Sequence, residues 1–345
     1  MSFTITTQPF GPLPLPSDRK PLTEYILQYT GTGEFAAVIP EFGGILRRLV
    51  LRRQGQLFAL LKAPESPQAL LADESYASAL LFPFPSRIRH GIYAFEGQQY
   101  ALKMNEVSRN NAIHGFVHGQ VFTVINQETT PNHASLTIRY DYPGDATGYP
   151  FPFALTVTYE LTRADWLTLG SNPEADRLCA LRISYSALNT GTTRCPVSFG
   201  WHPYFTFNSE PVDELTLSLP ARKAIVLDGD MIPNGRLPDS RAETFSLRER
   251  QLDTPFIIEP TGTTPNGISY AETVLNSDHA GVKLIIGQET GEGKLNYLVC
   301  YTPTRRDSVA IEPLTANVDS FNNGEGLTIL NPGEAMTGSM WVRLE

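Results

Sequence analysis

The feature that most constrains the fold of this chain is an alternation of apolar and polar residues with a period of two. From Phe153 to Leu161 every odd-numbered residue is apolar and every even-numbered residue is small or polar. The same alternation returns at Leu136–Tyr140, Ile183–Tyr185, Leu215–Leu219 and Met340–Leu344. Successive side chains of a strand point to opposite faces of a sheet, so this pattern predicts strands with one face in a core.

Helical periodicity is scarce. The best windows for short helices are Pro67–Leu81 and Phe245–Leu252, and turn-forming clusters such as Asn331-Pro332-Gly333 separate the predicted strands. Strands and helices do not alternate along the chain, which disfavours a parallel α/β sheet. Large all-β units commonly exceed the usual domain size, and no linker-like segment divides the 345 residues. We therefore expect an all-β fold, one large antiparallel β-sandwich with few short helices, as a single domain of residues 1–345.

The charge balance limits the partners of the chain. Asp and Glu number 36 against 27 Lys and Arg, giving a net charge of −9, whereas nucleic acids and anionic membranes require a basic face. No apolar run reaches the ~18 residues of a membrane span, and the first residues lack a secretory signal pattern. The cysteines Cys179, Cys195 and Cys300 are too scattered for a disulfide framework or a zinc knuckle. We expect a cytoplasmic protein, a monomer or homodimer, that binds no nucleic acid or membrane and is compatible with a neutral polar ligand.

The first candidate for chemistry is His202, in the segment Phe199-Gly200-Trp201-His202-Pro203-Tyr204-Phe205. A proline and large aromatic residues hold such an imidazole in place and shield it from water, as proton transfer to one substrate atom requires. The alternative is a core histidine whose two nitrogens are bonded to backbone groups.

The second candidate is Glu312, which lies between Ile311 and Pro313 where the interior of a strand would otherwise be apolar. Burying a carboxylate without partners is costly, so this side chain must be hydrogen-bonded or face a cleft. Partial desolvation would raise its pKa and make it a usable base near neutral pH. If Glu312 lies near His202, we expect its charge to raise the pKa of the imidazole. The chain has neither a G-x-S-x-G elbow nor a phosphate-binding P-loop, which leaves proton-transfer chemistry as the simplest interpretation.

Three further residues are weaker candidates for ligand contacts. Arg87 follows a proline-rich run and offers a fork of donors, although a surface salt bridge is an equally ordinary role. His114 and His118 lie four residues apart, each followed by glycine, so metal binding is a minor option that lacks an evident third ligand. Asp253 reads by itself as a turn-forming aspartate.

At these residues the sequence resembles the aldose 1-epimerase (galactose mutarotase) family through nearly its whole length. The segments that carry the resemblance are Glu41–Leu46, Phe82–Gly91, Asn111–Gly115, Tyr185–Phe205, Asp228–Gly235, Tyr301–Pro303, Ile311–Thr315 and Pro332–Glu334. The resemblance implies the galactose mutarotase-like supersandwich and an isomerase of carbohydrate metabolism. In such an enzyme His202 is the general acid and Glu312 the general base. The resemblance further implies Arg87, His114 and Asp253 as substrate-binding residues, no metal or other cofactor, and a free aldohexose whose α and β anomers are interconverted.

Ser86, Thr206 and Val318 differ from residues that are common in the family, which leaves the preferred sugar open. Two alternatives stay open with it. A hexose-6-phosphate 1-epimerase would need added basic residues at the mouth of the site, for which Arg89 and His90 are the candidates. A non-catalytic carbohydrate-binding or sensing protein would bind sugar without accelerating mutarotation.

Overall fold

The structure is a computed structural model that describes residues 2–14, 20–163 and 178–345. Its amino-terminal part contains ten strands and one helix within these residues. They are β1 (Phe3–Gly11), β2 (Leu22–Tyr29), β3 (Glu34–Ile39), β4 (Ile45–Arg53), β5 (Gln56–Ala59), α1 (Pro67–Leu71), β6 (Ala79–Leu81), β7 (Arg87–Arg89), β8 (Ile92–Phe95), β9 (Gln98–Ala101) and β10 (Asn111–Ile113).

The remaining elements in the described residues follow the same style of short strands and tight turns. They are β11 (Thr123–Thr129), β12 (His133–Tyr142), β13 (Phe153–Arg163), β14 (Cys179–Asn189), β15 (Cys195–Val197), β16 (Gly200–His202), β17 (Tyr204–Phe205), β18 (Leu215–Leu219), β19 (Arg222–Leu227), β20 (Pro233–Arg236), β21 (Glu243–Ser246), β22 (Asp253–Ile258), β23 (Gly262–Thr263), β24 (Ser269–Ser277), β25 (Val282–Glu289), β26 (Tyr297–Tyr301), β27 (Val309–Leu314), α2 (Ser320–Asn323), β28 (Thr328–Leu330) and β29 (Ala335–Leu344).

Two large antiparallel sheets share one hydrophobic core. The ten-stranded sheet has the order β11-β12-β13-β14-β29-β25-β24-β18-β21, with β23 paired to β24. The eight-stranded sheet has the order β20-β19-β22-β26-β27-β16-β6, with β17 paired to β27, and strands β1–β5 form a third sheet. Buried side chains of all three sheets belong to one cluster that runs from Phe3 to Leu344. The predicted all-β antiparallel sandwich is therefore confirmed, whereas the single domain of residues 1–345 stays a prediction.

The predicted alternation is visible in burial. In β13 the odd-numbered residues from Phe153 to Leu161 are all buried, and residues 156, 158 and 160 are only half-buried. Each of these strands thus presents one face to the shared core, as a period of two requires.

The eight-stranded sheet presents its second face to the candidate site. On β27 the side chain of Ile311 packs in the shared core, as does Cys300 on the neighbouring strand β26. The intervening side chains Glu312, Val299 and Tyr301 line a cavity on the opposite face. Strand periodicity alone therefore explains why a glutamate is tolerated in the middle of a buried strand.

The two helix predictions had different outcomes. Helix α1 begins at Pro67, where the Ser66 side chain caps it, but it ends at Leu71 rather than Leu81. The helix predicted for Phe245–Leu252 is wrong, because Phe245 lies in β21 opposite Leu217 of β18 and a turn follows. Cross-strand pairing outweighed a weak helical pattern there. Among the described residues, no helix combines the length and apolarity that a bilayer crossing demands.

Candidate active site

A cavity of about 1110 Å³ lies against the outer face of the eight-stranded sheet. All five candidate residues line it, although they come from strands and loops that are far apart in the sequence: Arg87, His114, His202, Asp253 and Glu312. His118 also lines this cavity, whereas Arg89 and His90 do not.

Strand register brings His202 and Glu312 together. Strand β16 runs antiparallel to β27 with Gly200 opposite Leu314, so two residues further along each strand His202 lies opposite Glu312. The Nε2 atom of His202 is 3.4 Å from the Oε1 atom of Glu312, and both side chains are more than nine-tenths buried. Directly opposite residues of an antiparallel pair are natural contact partners, so the pairing follows from the sheet itself.

Burial shifts both pKa values toward the neutral forms. It lowers the pKa of His202 to about 4. It raises the pKa of Glu312 well above the usual range, with the negative charge of Asp253 acting in the same direction and Arg87 opposing it. The expected rise in the pKa of Glu312 is confirmed. The expected rise in the pKa of His202 is wrong, because desolvation of the imidazolium outweighs the attraction of a carboxyl that is itself held neutral.

Aromatic side chains orient His202. The ring of Tyr204 stacks on the imidazole with centroids 5.0 Å apart, and His114 meets it edge to face at 5.2 Å. The Nδ1 atom of His202 makes no hydrogen bond to another of the described residues. The alternative of a core histidine with both nitrogens bonded to backbone therefore does not hold.

The neighbouring His114 has a defined hydrogen-bonding role. The backbone N–H of Ser86 donates to its Nδ1 atom at 3.1 Å. Burial, followed by the charges of His202 and Arg87, lowers the pKa of His114 well below its usual value. A neutral imidazole that accepts at Nδ1 carries its proton on Nε2, so His114 is a hydrogen-bond donor at that nitrogen.

The glycine after His114 is explained by close packing. His114 has a φ of +62° and Gly115 one of +65°, and a Cβ atom at Gly115 would lie 2.0 Å from the backbone oxygen of Phe82. The backbone turns too sharply here for a helix, as the sequence predicted.

The ring of Tyr76 packs against both His114 and His118. Its centroid is 4.7 Å from that of His114 and 4.8 Å from that of His118. Across residues 2–14, 20–163 and 178–345, no group of three or more His, Cys, Asp or Glu side chains is placed to hold a metal ion. The two histidines that raised the metal option thus share an aromatic neighbour.

Arg87 forms a fork with Glu106, a residue that the sequence analysis did not single out. The Nε atom of Arg87 lies 2.8 Å from one carboxylate oxygen and its Nη2 atom 2.8 Å from the other, and the two side chains are 13% and 11% exposed. Burial opposes ionisation of Glu106, but hydrogen bonds and charge from Arg87 outweigh it and lower the pKa of the carboxyl. This ion pair leaves Nη1 of Arg87 without a hydrogen bond to the described residues, so it is available to a ligand.

Asp253 is the first residue of β22 and lies opposite Tyr301 of β26. It is therefore a strand residue at the wall of the cavity rather than the turn former that its local sequence favours. Partial desolvation raises the pKa of its carboxyl, and the positive charges of Arg87 and Arg109 act against this shift. Its side chain is exposed and open to a ligand.

Comparison with known proteins gives a consistent picture. The sequence profile of the aldose 1-epimerase family matches residues 26–343. The chain is 26% identical over 312 residues to the uncharacterized protein YihR of Escherichia coli, a match that covers 88% of each protein. It is 24% identical over 252 residues to galactose mutarotase of Sus scrofa, covering 71% of this chain and 66% of the pig protein.

Solved structures show the same fold. A galactose mutarotase-like protein from Clostridium acetobutylicum superposes with a TM-score of 0.79 at 19% identity, covering 100% of this chain and 99% of the other. Galactose 1-epimerase from Lactobacillus acidophilus gives 0.77 at 18% identity, with the same coverage. At such identities the likeness establishes architecture, and the predicted galactose mutarotase-like fold is confirmed.

Proposed function

The chain belongs to the aldose 1-epimerase family, and on that premise we propose that it is an isomerase that interconverts the α and β anomers of a free aldohexose. The observation that carries the proposal is the 3.4 Å approach of His202 Nε2 to Glu312 Oε1 inside a cavity. An acid and a base that share one cleft are what opening and closing a hemiacetal requires.

In the ring-opening step Glu312 takes the proton of the anomeric hydroxyl and protonated His202 donates a proton to the ring oxygen. The bond between C1 and the ring oxygen breaks as the carbonyl forms at C1. The free aldehyde then turns about the C1–C2 bond. Closure from the other face reverses both proton transfers and yields the opposite anomer.

The pKa shifts fit this exchange because the pair holds one proton in total. With Glu312 protonated and His202 neutral, the pair is in the form that closes the ring. In this form Glu312 gives its proton to the carbonyl oxygen and His202 accepts one from the attacking hydroxyl. Moving the single proton from Glu312 to His202 gives the form that opens the ring. Burial favours the neutral arrangement for both partners, so the free enzyme holds this proton over a broad pH range.

The other lining residues orient the sugar in this proposal. His114 donates from Nε2, Arg87 donates from Nη1 and Asp253 accepts hydrogen bonds from ring hydroxyls. Arg87 and His114 also supply donors for negative charge that builds on the ring oxygen during opening. The ion pair with Glu106 keeps the guanidinium of Arg87 in one place.

The charges around the cavity favour a neutral sugar over a sugar phosphate. Arg89 pairs with Asp228 and Asp230, and His90 contacts Asn110. Among the described lining residues six acidic side chains face four basic ones. They are Asp73, Glu74, Glu106, Asp253, Asp307 and Glu312 against Lys62, Arg87, Arg109 and Arg305. A phosphate group would meet net negative charge in this setting.

A sugar-binding protein without catalysis is the second candidate, and the closeness of His202 and Glu312 counts against it. Binding alone gives no reason to bury a carboxyl beside an imidazole, since this arrangement destabilises the charged form of each. We extend the proposal to a cytoplasmic protein that acts as a monomer or homodimer.

Polarimetry tests the proposal directly. Freshly dissolved α-anomers of D-glucose, D-galactose, D-mannose and D-xylose, together with D-glucose 6-phosphate, are followed with and without the protein. We expect faster mutarotation of at least one free sugar and little effect on the phosphate. Binding without acceleration would favour the sugar-binding alternative, and preference for the phosphate would favour the hexose-6-phosphate epimerase.

A further inference from the structure

His118 faces the cavity but has no part in the proton transfers proposed above. Its Nδ1 atom is buried and has no hydrogen-bond partner among the described residues. Leaving a buried imidazole nitrogen unpaired destabilises a fold, and each such group in a native protein calls for an explanation. A ligand that completes the hydrogen bonding of this ring is one explanation that its place in the cavity supports.

The backbone of His118 is held by a glycine turn that the sequence analysis noted without a role. Gly43 has a φ of +66°, and a Cβ atom there would lie 2.1 Å from the carbonyl oxygen of His118. The N–H of Gly43 also donates to the carbonyl of Gln120 at 2.7 Å. Only glycine permits this approach, so the turn fixes the height at which the His118 side chain enters the cavity.

The ring of His118 is held from the other side by Tyr76. The two rings meet edge to face, with an interplanar angle of 74°. The Tyr76 hydroxyl accepts a hydrogen bond from the Asn105 amide at 2.9 Å, and that amide is bonded to both the N–H and the carbonyl of Ile113. An aromatic ring anchored in this way restricts the orientation of the imidazole beside it.

The electrostatic state of His118 suits a polar neutral ligand. Burial lowers the pKa of this imidazole, and the negative charge of Asp73 only partly opposes the shift. A neutral imidazole has one donor and one acceptor nitrogen, and a sugar hydroxyl can pair with either.

We propose that His118 is a substrate-contacting residue that bonds a sugar hydroxyl remote from the anomeric carbon and thereby sets which epimer the site prefers. The inference rests on the proposed function for the identity of the ligand. It assigns His118 to binding and selectivity, and leaves proton transfer to His202 and Glu312. A site built to bond a hydroxyl discriminates against an epimer that displaces it, because its polar group is then left unpaired.

Three single variants of the full chain test the proposal. His118→Phe keeps a ring beside Tyr76 but removes both nitrogens, His118→Gln keeps a donor and an acceptor, and His90→Gln is the matched control on an exposed histidine outside the cavity. The KM and kcat for mutarotation and the Kd from isothermal titration calorimetry are measured for D-glucose, D-galactose and D-mannose.

For His118→Phe we expect the KM and Kd of the preferred sugar to rise roughly tenfold, the effect of losing one buried hydrogen bond. The kcat should stay nearly unchanged and the preference between epimers should shrink. His118→Gln should restore part of the affinity, and His90→Gln should match the wild type.

Unchanged KM and Kd in a folded His118→Phe protein would overturn the proposal, as would a fall in kcat alone. Wild-type protein that binds a sugar without accelerating mutarotation would refute the proposed function only, since the Kd values still test the contact. Wild-type protein that binds none of the sugars would refute both.

Discussion

The Nε2 atom of His202 and the Oε1 atom of Glu312 lie 3.4 Å apart on paired strands, in a cavity that three other candidate residues also line. Because β16 and β27 are paired within a sheet, the separation is fixed by backbone hydrogen bonding rather than by mobile loops. Groups placed on rigid elements keep the precise geometry that proton transfer needs.

Removing either member of this pair should abolish most of the activity. For Glu312→Gln and His202→Asn we expect kcat/KM for mutarotation to fall at least 100-fold, because a positioned acid or base typically contributes about 10²–10⁴-fold. Polarimetry gives the rates, and circular dichroism verifies that both variants are folded. Near-normal rates in the folded variants would contradict the assigned roles.

The pH dependence should follow the proton shared by His202 and Glu312. Below about pH 4 His202 gains a second proton for the pair, Glu312 stays protonated and no base remains. Above the raised pKa of Glu312 the pair loses its last proton and no acid remains. We therefore expect a bell-shaped profile of kcat/KM whose acid limb lies well below the ordinary histidine value of 6.5. An acid limb at 6.5, as for an exposed histidine, would show that burial does not control this site.

The ion pair between Arg87 and Glu106 should matter for substrate affinity. In Glu106→Gln the guanidinium loses a charged partner and its fixed orientation, so we expect KM to rise about tenfold or more. The matched control is Asp141→Asn, which removes an equally well-formed fork with Arg139 at 2.7–3.1 Å, but on side chains that are 67% and 36% exposed. The control should leave KM and thermal stability nearly unchanged, since exposed pairs contribute little. Equal effects of the two substitutions would argue that Arg87 has no positioned role.

The glycine turn beneath His118 should be sensitive to a single methyl group. Gly43→Ala and Gly55→Ala both place alanine at a positive φ, but a Cβ at Gly55 meets nothing within 4 Å. Gly55→Ala should lower the free energy of unfolding by about 1–2 kcal/mol, the cost of left-handed backbone. Gly43→Ala should lower it by more, because the new Cβ collides with the backbone of His118. Urea unfolding measures both values, and equal losses would contradict the collision.

Much of the sheet structure could be predicted from the sequence, because burial of one strand face imposes a period of two. Phe153–Leu161 is the clearest case. The helix predicted to reach Leu81 ends at Leu71 instead, and Tyr76 and Ser78 beyond it have φ values of +56° and +59°. A side chain that stabilises a left-handed turn through a distant contact leaves no local pattern to read.

The candidate site was predicted in part. His202 and Glu312 announce themselves by polar character in apolar strands, but the roles of Glu106 and Tyr76 depend on partners that come together only in the fold. The pKa of His202 could not be predicted from the sequence either, since its direction depends on how completely the ring is desolvated.

The pairing of β16 with β27 also divides this protein into parts that can be engineered separately. Slipping either strand by one residue would turn its side chains to the other face and separate His202 from Glu312, so these strands tolerate little change. Tyr76, Asn105 and His118 lie outside the sheet on connecting segments. Randomised libraries confined to those segments should therefore yield new sugar preferences while leaving the catalytic pair intact.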